Sequence, residues 1–296
     1  MIIPWLALWV TVYEARVRPK ILLKNLLLFF SIYVFLGFIL QIGFGVDGER
    51  GGTILGNTLP LISLCLVFVS CLSYNLKIIK LPLLSFCIII SFTSILMAAT
   101  RKAFVGELII LFFFLLTIFK KLNFKSLIGL LFIFFLVYFS LSFVLENSVL
   151  GTRFTNLSEE AARYNTTDSF LLSLLGDRAY FYITGWELFV NNIWFGIGIN
   201  NYMNVTDYPM PIHSEYMVQL TENGIIGTII YACFLIAVFK SIKQHRQYTF
   251  HKLSIGWFIC VLFISFTSWV YDMAQYYMIF GLILGLGYRN KNIRLL

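Results

Sequence analysis

The chain has 296 residues, of which 59% are hydrophobic and 12% charged, and its mean hydropathy is +0.86. Soluble domains carry roughly 25% charged residues, so this composition excludes a soluble globular protein. The formal charge of +8 does not indicate nucleic-acid binding, because the basic residues lie in short loops between apolar segments rather than in one patch.

Nine apolar segments follow one another along the chain and are predicted to be helices, most of them near the ~20 residues that cross a bilayer. They cover residues 2–13, 22–42, 55–76, 81–99, 103–119, 126–145, 224–239, 253–271 and 275–288. The first is short for a span and starts at the initiator methionine, as in a truncated version of a longer protein. Residues 1–296 are predicted to be one all-α, polytopic membrane domain.

The loops between these segments alternate in charge. Six of the 22 lysines and arginines lie on one side of the predicted membrane: Arg50, Arg101, Lys102, Arg153, Arg163 and Arg178. The other sixteen lie on the opposite side, which the positive-inside rule assigns to the cytoplasm. Five of the six outer cations are arginine, whose planar guanidinium suits bidentate phosphate binding.

One polar segment is long, residues 146–223, and this topology places it outside the cytoplasm. Loops of such length are usually functional. The segment contains an amphipathic run around residues 171–190 and the sequence Gly-Ile-Gly-Ile-Asn at residues 196–200. That short sequence predicts a turn, because it lacks the other residues of a phosphate-binding or dinucleotide-binding loop. The long loop is therefore predicted to carry the active site.

His213 is the one histidine in this loop, since His245 and His251 lie in a basic cytoplasmic loop. An imidazole can exchange a proton near neutral pH, which makes His213 the candidate general base. Ser214 follows it and can cap a helix that begins at Glu215. The alternative is an interfacial histidine without a catalytic role.

Two arginines are candidates for binding a phosphate group. Arg101 directly follows the segment 81–99, and Arg178 lies near the start of the amphipathic run. The alternatives are a flanking cation at the membrane surface for Arg101 and an ion pair with Asp177 for Arg178. Arg50 is a weaker, supporting candidate because polar loops routinely carry solvated charges.

The acidic residues and cysteines give less specific signals. Glu215 and Glu222 are supporting candidates that compete with the histidine for the role of base. Glu107 is the single charge well inside an apolar segment, and it is either functional or hydrogen-bonded to a neighbouring helix. The five cysteines all lie in apolar segments and the outer histidine has no carboxylate cluster beside it, so neither a metal site, a disulfide nor a cofactor is predicted.

Four stretches, taken in order, resemble the O-antigen ligase and O-antigen polymerase family of bacterial membrane glycosyltransferases. Residues 49–57 look like the family's Gly-Thr-x-x-Asn-Pro-Asn stretch, with Thr-Leu in place of Pro-Asn, and residues 99–103 are similar to its Ser-Arg-x-Ala segment. Arg178 followed by residues 186–200 resembles the family's arginine, aromatic helix and Pro-Leu-x-Gly-x-Gly-x-Asn turn, with Ile-Trp in place of Pro-Leu. Residues 213–227 are similar to its His-Asn-x-x-Leu-x-x-x-x-Glu-x-Gly-x-x-Gly signature, and the resemblance covers the chain from about residue 49 onward.

This resemblance implies a GT-C-like helical bundle in the bacterial cytoplasmic (inner) membrane, with its active loop outside. It implies that a glycan is transferred from undecaprenyl diphosphate to a hydroxyl acceptor without a metal. His213 would then be the base, and Arg101 and Arg178 would bind the departing pyrophosphate. The implied partners are the lipid-linked glycan donor, a glycan or lipid A core acceptor, the bilayer and a chain-length regulator.

Four functions are compatible with the sequence. A polymerase would extend a lipid-linked glycan into O-antigen or capsule, and we favour it because nothing in the chain marks a lipid A core site. A ligase would transfer the finished glycan, and a peptidoglycan polymerase would shed the same kind of lipid pyrophosphate. A transporter or channel is the alternative from another class, but no internal repeat is visible and Glu107 is the one charge well inside the apolar segments.

Overall fold

The computed structural model describes residues 2–43, 58–98, 100–118, 178–206, 212–244, 250–268 and 273–287. All regular structure in these residues is α-helical, which confirms the predicted fold class. The helices are α1 (Ile2–Val17), α2 (Pro19–Gly43), α3 (Thr58–Asn75), α4 (Leu81–Met97), α5 (Arg101–Ile118), α6 (Arg178–Asn191), α7 (Tyr202–Val205), α8 (Glu215–Gln244), α9 (His251–Ser265) and α10 (Ala274–Gly287). The predicted segment 126–145 lies outside the described residues.

Three helices in the described ranges are long and apolar enough to cross a bilayer, namely α2, α3 and α8. α4, α9 and α10 are apolar but shorter. The apolar stretch of α3 is 83% buried inside the protein, whereas those of α2 and α8 are 33% and 22% buried. α3 is therefore central, and the other two turn most of their apolar surface outward, as helices of an integral membrane protein do.

α1 and α10 run parallel and approach closely. A Cβ atom at Gly281 would lie 2.5 Å from the carbonyl oxygen of Leu8, and one at Gly285 would lie 2.5 Å from that of Val12. The two glycines are four residues apart, the small-residue spacing that lets membrane helices bring their backbones together. This contact fixes the direction of α1 relative to the rest of the bundle.

α5 and α9 run antiparallel, and a lysine joins them at each end. The Lys102 ammonium donates to Ser268 Oγ at 2.9 Å, and the Lys252 ammonium donates to the Leu116 carbonyl at 2.8 Å. Ring contacts continue the packing, since Phe68 and Trp257 lie 5.1 Å apart between their ring centroids. α9 is thereby held between α3 and α5 in the core.

These pairings show which helix ends lie together at the same end of the bundle. Lys243 in the last turn of α8 lies beside the start of α9, because His251 Nδ1 is 2.9 Å from the Ile242 carbonyl oxygen. Lys252 belongs to the same end of the bundle. Lys102 and Ser268 lie at the opposite end, where the helices α5, α6 and α8 begin.

Candidate active site

His213 lies just before α8, and its ring packs against α6. The side chain is partly exposed, and its ring centroid is 5.8 Å from that of Phe181 in an edge-to-face arrangement. Phe181 is 3% exposed and belongs to a small apolar cluster with Tyr202, Ile212, Met217 and Val218. The helix beginning at Glu215 confirms the start that Ser214 predicts. The imidazole therefore packs against a ring that this apolar cluster holds in place, while part of the histidine side chain stays accessible.

The segment 266–268 after α9 joins three helices at this end of the bundle. Ser268 accepts twice, because its Oγ binds the Lys102 ammonium at 2.9 Å and its carbonyl oxygen binds the Glu215 N–H at 3.2 Å. The Tyr182 hydroxyl of α6 donates to the Phe266 carbonyl at 2.9 Å. The first turns of α5 and α8 and the second turn of α6 are thus tied to one short segment.

Three helix N-termini consequently converge near His213. The first turn of a helix presents unpaired backbone N–H groups and the positive end of the helix dipole, which together favour an anion. Arg101 and Arg178 are the first residues of α5 and α6, so the backbones of both predicted phosphate ligands lie at these N-termini. Their side chains lie outside the described set, and Arg50 lies outside it entirely.

The turn between α6 and α7 is clamped onto α8. The Ile225 N–H donates to the Ile193 carbonyl at 2.8 Å, and the Ile197 N–H donates to the Thr221 carbonyl at 2.9 Å. Gly224 has φ 62° and interrupts α8, and a Cβ atom there would lie 2.5 Å from the Trp194 carbonyl oxygen. Only glycine fits this conformation and this approach together.

Glu222 anchors the same turn through its carboxylate. The side chain is 4% exposed and accepts the Asn200 N–H at 2.8 Å, and the Tyr202 N–H also binds it. Its backbone carbonyl accepts the Gly198 N–H at 2.9 Å. The carboxylate is therefore committed to the backbone at the start of α7, which favours a supporting role over that of a general base.

Glu215 is completely buried and bonded along α8. Its Oε1 accepts the Gln219 side-chain amide at 2.7 Å, and the Gln219 Oε1 accepts the Asn223 amide at 3.0 Å. These residues are spaced by four, so they form one polar row on a single helix face. The row leads from the clamped turn to the first turn of α8, beside the Ser268 carbonyl.

Residues 86–232, about half of the chain, match the family model described as O-antigen ligase. The chain belongs to the O-antigen ligase family. No match was found among the curated proteins. The matched region runs from α4 into α8 and includes Arg101, Arg178, His213, Glu215 and Glu222.

Membership of the O-antigen ligase family confirms the predicted resemblance. It supports glycosyl transfer of the O-antigen ligase or polymerase type by a membrane enzyme. Arg50 precedes the matched region, so the match adds nothing to its predicted supporting role. The transporter alternative receives no support from the family.

Lys102 and Ser268 are members of the site that sequence reasoning missed. They lie 166 residues apart, and no local pattern joins them. In the sequence, Lys102 stands out only as the single lysine among the six cations that are predicted to lie outside the cytoplasm. Its ammonium binds Ser268, whose carbonyl oxygen accepts the N–H of the first residue of α8. A lysine there supplies one positive charge without the planar fork of arginine.

A substitution in the clamped turn distinguishes a structural role of Glu222 from a catalytic one. Replacing Glu222 with glutamine should weaken the turn, because an amide nitrogen would face a backbone N–H where a carboxylate oxygen now accepts it. Losing one hydrogen bond to a charged group costs about 1.5–3 kcal/mol. The midpoint temperature of thermal unfolding of the purified protein should therefore decrease, with activity falling in parallel.

Glu187→Gln, at an exposed site on α6, is the control and should leave both the midpoint temperature and the activity unchanged. An inactive Glu222→Gln enzyme of unchanged stability would instead indicate a direct catalytic role.

Proposed function

We propose that this protein polymerises undecaprenyl-diphosphate-linked oligosaccharide repeat units into a surface polysaccharide, O-antigen or capsule. The observation that carries the proposal is the convergence of three helix N-termini beside a partly exposed histidine, within a region that matches the O-antigen ligase family. A site of that kind suits a substrate with a pyrophosphate at the reacting carbon.

The proposed reaction is an inverting displacement. The acceptor hydroxyl oxygen forms a bond to the anomeric carbon of the donor while the bond from that carbon to the phosphate oxygen breaks. Undecaprenyl diphosphate leaves with the electron pair, and the hydroxyl proton passes to the imidazole of His213. Attack from the face opposite the leaving group inverts the anomeric carbon.

The cations and helix ends would stabilise the departing charge. Arg101 and Arg178 start two of the converging helices, and Lys102 lies in the next position of α5. Guanidinium groups and helix N-termini aimed at a leaving pyrophosphate supply the stabilisation that a metal gives elsewhere. Transfer should therefore persist in the presence of a chelator.

The charge distribution supports an orientation for this site. Arg16, Lys243 and Lys252 are at helix ends away from His213, and loops rich in lysine and arginine stay in the cytoplasm. The site end of the bundle would then face the extracytoplasmic side of the inner membrane, where the lipid-linked donor presents its glycan.

Reconstitution tests the proposal. Purified protein in liposomes is incubated with lipid-linked repeat units, and the products are separated by size. A ladder of lengths is expected for a polymerase. The matched family model is described as O-antigen ligase, so lipid A core is added in a parallel reaction, where a single shifted product would assign ligation instead. The absence of any transfer with either acceptor would overturn the proposal.

A further inference from the structure

α6 has one face toward the protein and one apolar face away from it. Phe181 and Gly185 pack inward, where a Cβ atom at Gly185 would lie 3.0 Å from Thr221 Oγ1. Ile183, Trp186 and Val190 point outward with 54%, 54% and 48% of their surface exposed. Their spacing of three and four residues puts them on one stripe of the helix. A helix in water does not maintain such a stripe uncovered.

The apolar stripe continues into the turn that follows α6. Trp194 is 67% exposed and Phe195 is 75% exposed. These two residues extend the surface beyond the helix, so the exposed apolar area is contiguous and not a set of scattered side chains.

This surface joins the lipid-facing side of α8. The Ile226 N–H donates to the Trp194 carbonyl at 3.3 Å, so the turn rests against the first residues of the spanning part of α8. One turn further along, Ile229 and Ile230 are 56% and 63% exposed on this membrane-crossing helix. The lipid that covers them would also reach the turn, since the two surfaces meet at Ile226.

The residue types indicate how deeply α6 lies in the bilayer. Tryptophan and phenylalanine beside a polar surface are typical of the boundary between headgroups and acyl chains. Glu187 is exposed close to the apolar stripe, and a carboxylate there requires water within reach. The combination fits a helix at headgroup level and not one that enters the hydrocarbon centre.

We propose that α6 and the turn at residues 192–200 are a membrane-surface anchor, seated in the leaflet at the site end of the bundle. The occupant of the apolar surface is the lipid bilayer itself. The anchor would hold His213, which packs against Phe181 on the inner face of α6, at the level of lipid headgroups. The inference concerns where α6 lies and does not depend on which glycan is transferred.

Nitroxide labelling of single cysteines in proteoliposomes tests the anchor. Cys233 is exposed and is first replaced by serine, whereas the other four cysteines are buried. Labels are placed one at a time at Ile183, Val190 and Phe195, and collision rates are measured with oxygen, which partitions into lipid, and with a water-soluble nickel chelate. All three labels should favour oxygen, at a depth of about 5–10 Å.

Two positions on α8 calibrate the measurement. A label at Ile230 gives the lipid reference, and a label at the exposed Lys243 gives the water reference. The three labels on α6 and its turn should give collision rates between these two references and nearer to that of Ile230. Preferential collision with the nickel chelate would overturn the anchor by showing a water-exposed helix. Low collision with both reagents would overturn it by showing that protein, such as a second copy, covers the face. Neither readout needs enzyme activity, so failure of the anchor is distinct from failure of the proposed transfer.

Discussion

His213→Ala should lower the rate of glycosyl transfer by about 10²- to 10⁴-fold, the contribution typical of a positioned general base. Binding of the lipid-linked donor should survive, because the pyrophosphate contacts are proposed to come from Arg101, Arg178 and the helix N-termini. Single-turnover transfer with saturating donor measures the chemical step directly. Donor retention on the variant is measured in parallel with labelled lipid.

His213 also packs against Phe181, so a folding effect has to be separated from a catalytic one. His213→Asn keeps a polar side chain of similar reach but cannot act as a base near neutral pH, and it should be as slow as the alanine variant with normal thermal stability. The competing carboxylates are tested as Glu215→Gln and Glu222→Gln. Transfer by His213→Ala within a few-fold of wild type, together with an inactive but stable glutamine variant, would move the role of base to that carboxylate.

Arg101→Lys and Arg178→Lys should each lose activity although the positive charge is kept. A lysine ammonium cannot form the two parallel hydrogen bonds that a guanidinium makes with a phosphate. Loss of one such contact in a partly desolvated site costs about 2–4 kcal/mol of transition-state stabilisation. That corresponds to a decrease of roughly 30- to 1,000-fold in kcat/KM.

A matched replacement controls for general effects of the arginine-to-lysine change. Arg18 lies between α1 and α2 at the basic end of the bundle, and Arg18→Lys should transfer at the wild-type rate. Membrane insertion of all three variants is compared by their yield after purification. Near wild-type kcat/KM for both Arg101→Lys and Arg178→Lys would show that these arginines do not make bidentate contacts with the pyrophosphate and only flank membrane segments.

Local signals in the sequence predicted the fold class and several element boundaries. Continuous apolar segments predicted helices because backbone polar groups must be satisfied internally in a bilayer. Ser214 before Glu215 predicted the start of α8, and the glycines at 196 and 198 predicted the turn, where both have positive φ. Each of these signals acts within a few residues of the feature that it specifies.

Features that depend on distant residues were not predicted. The sequence predicted a helix start at Glu215 and a separate apolar segment from residue 224, whereas both belong to α8, which is only interrupted at Gly224. The polar residues before the glycine are helical because their side chains bond within the site, as Glu222 does with Asn200. The Lys102 to Ser268 bond likewise arises from the antiparallel packing of α5 and α9, which hydropathy does not specify.

Labelling of a cysteine at position 213 tests whether an extracytoplasmic site around this residue binds the lipid pyrophosphate. His213→Cys is made in a Cys233→Ser background, because the remaining cysteines are buried. Intact cells are treated with a membrane-impermeant maleimide, and purified protein is treated with and without undecaprenyl diphosphate. The expected result is labelling in intact cells and protection by the lipid diphosphate. Labelling only after lysis, or unchanged labelling at saturating undecaprenyl diphosphate, would contradict it.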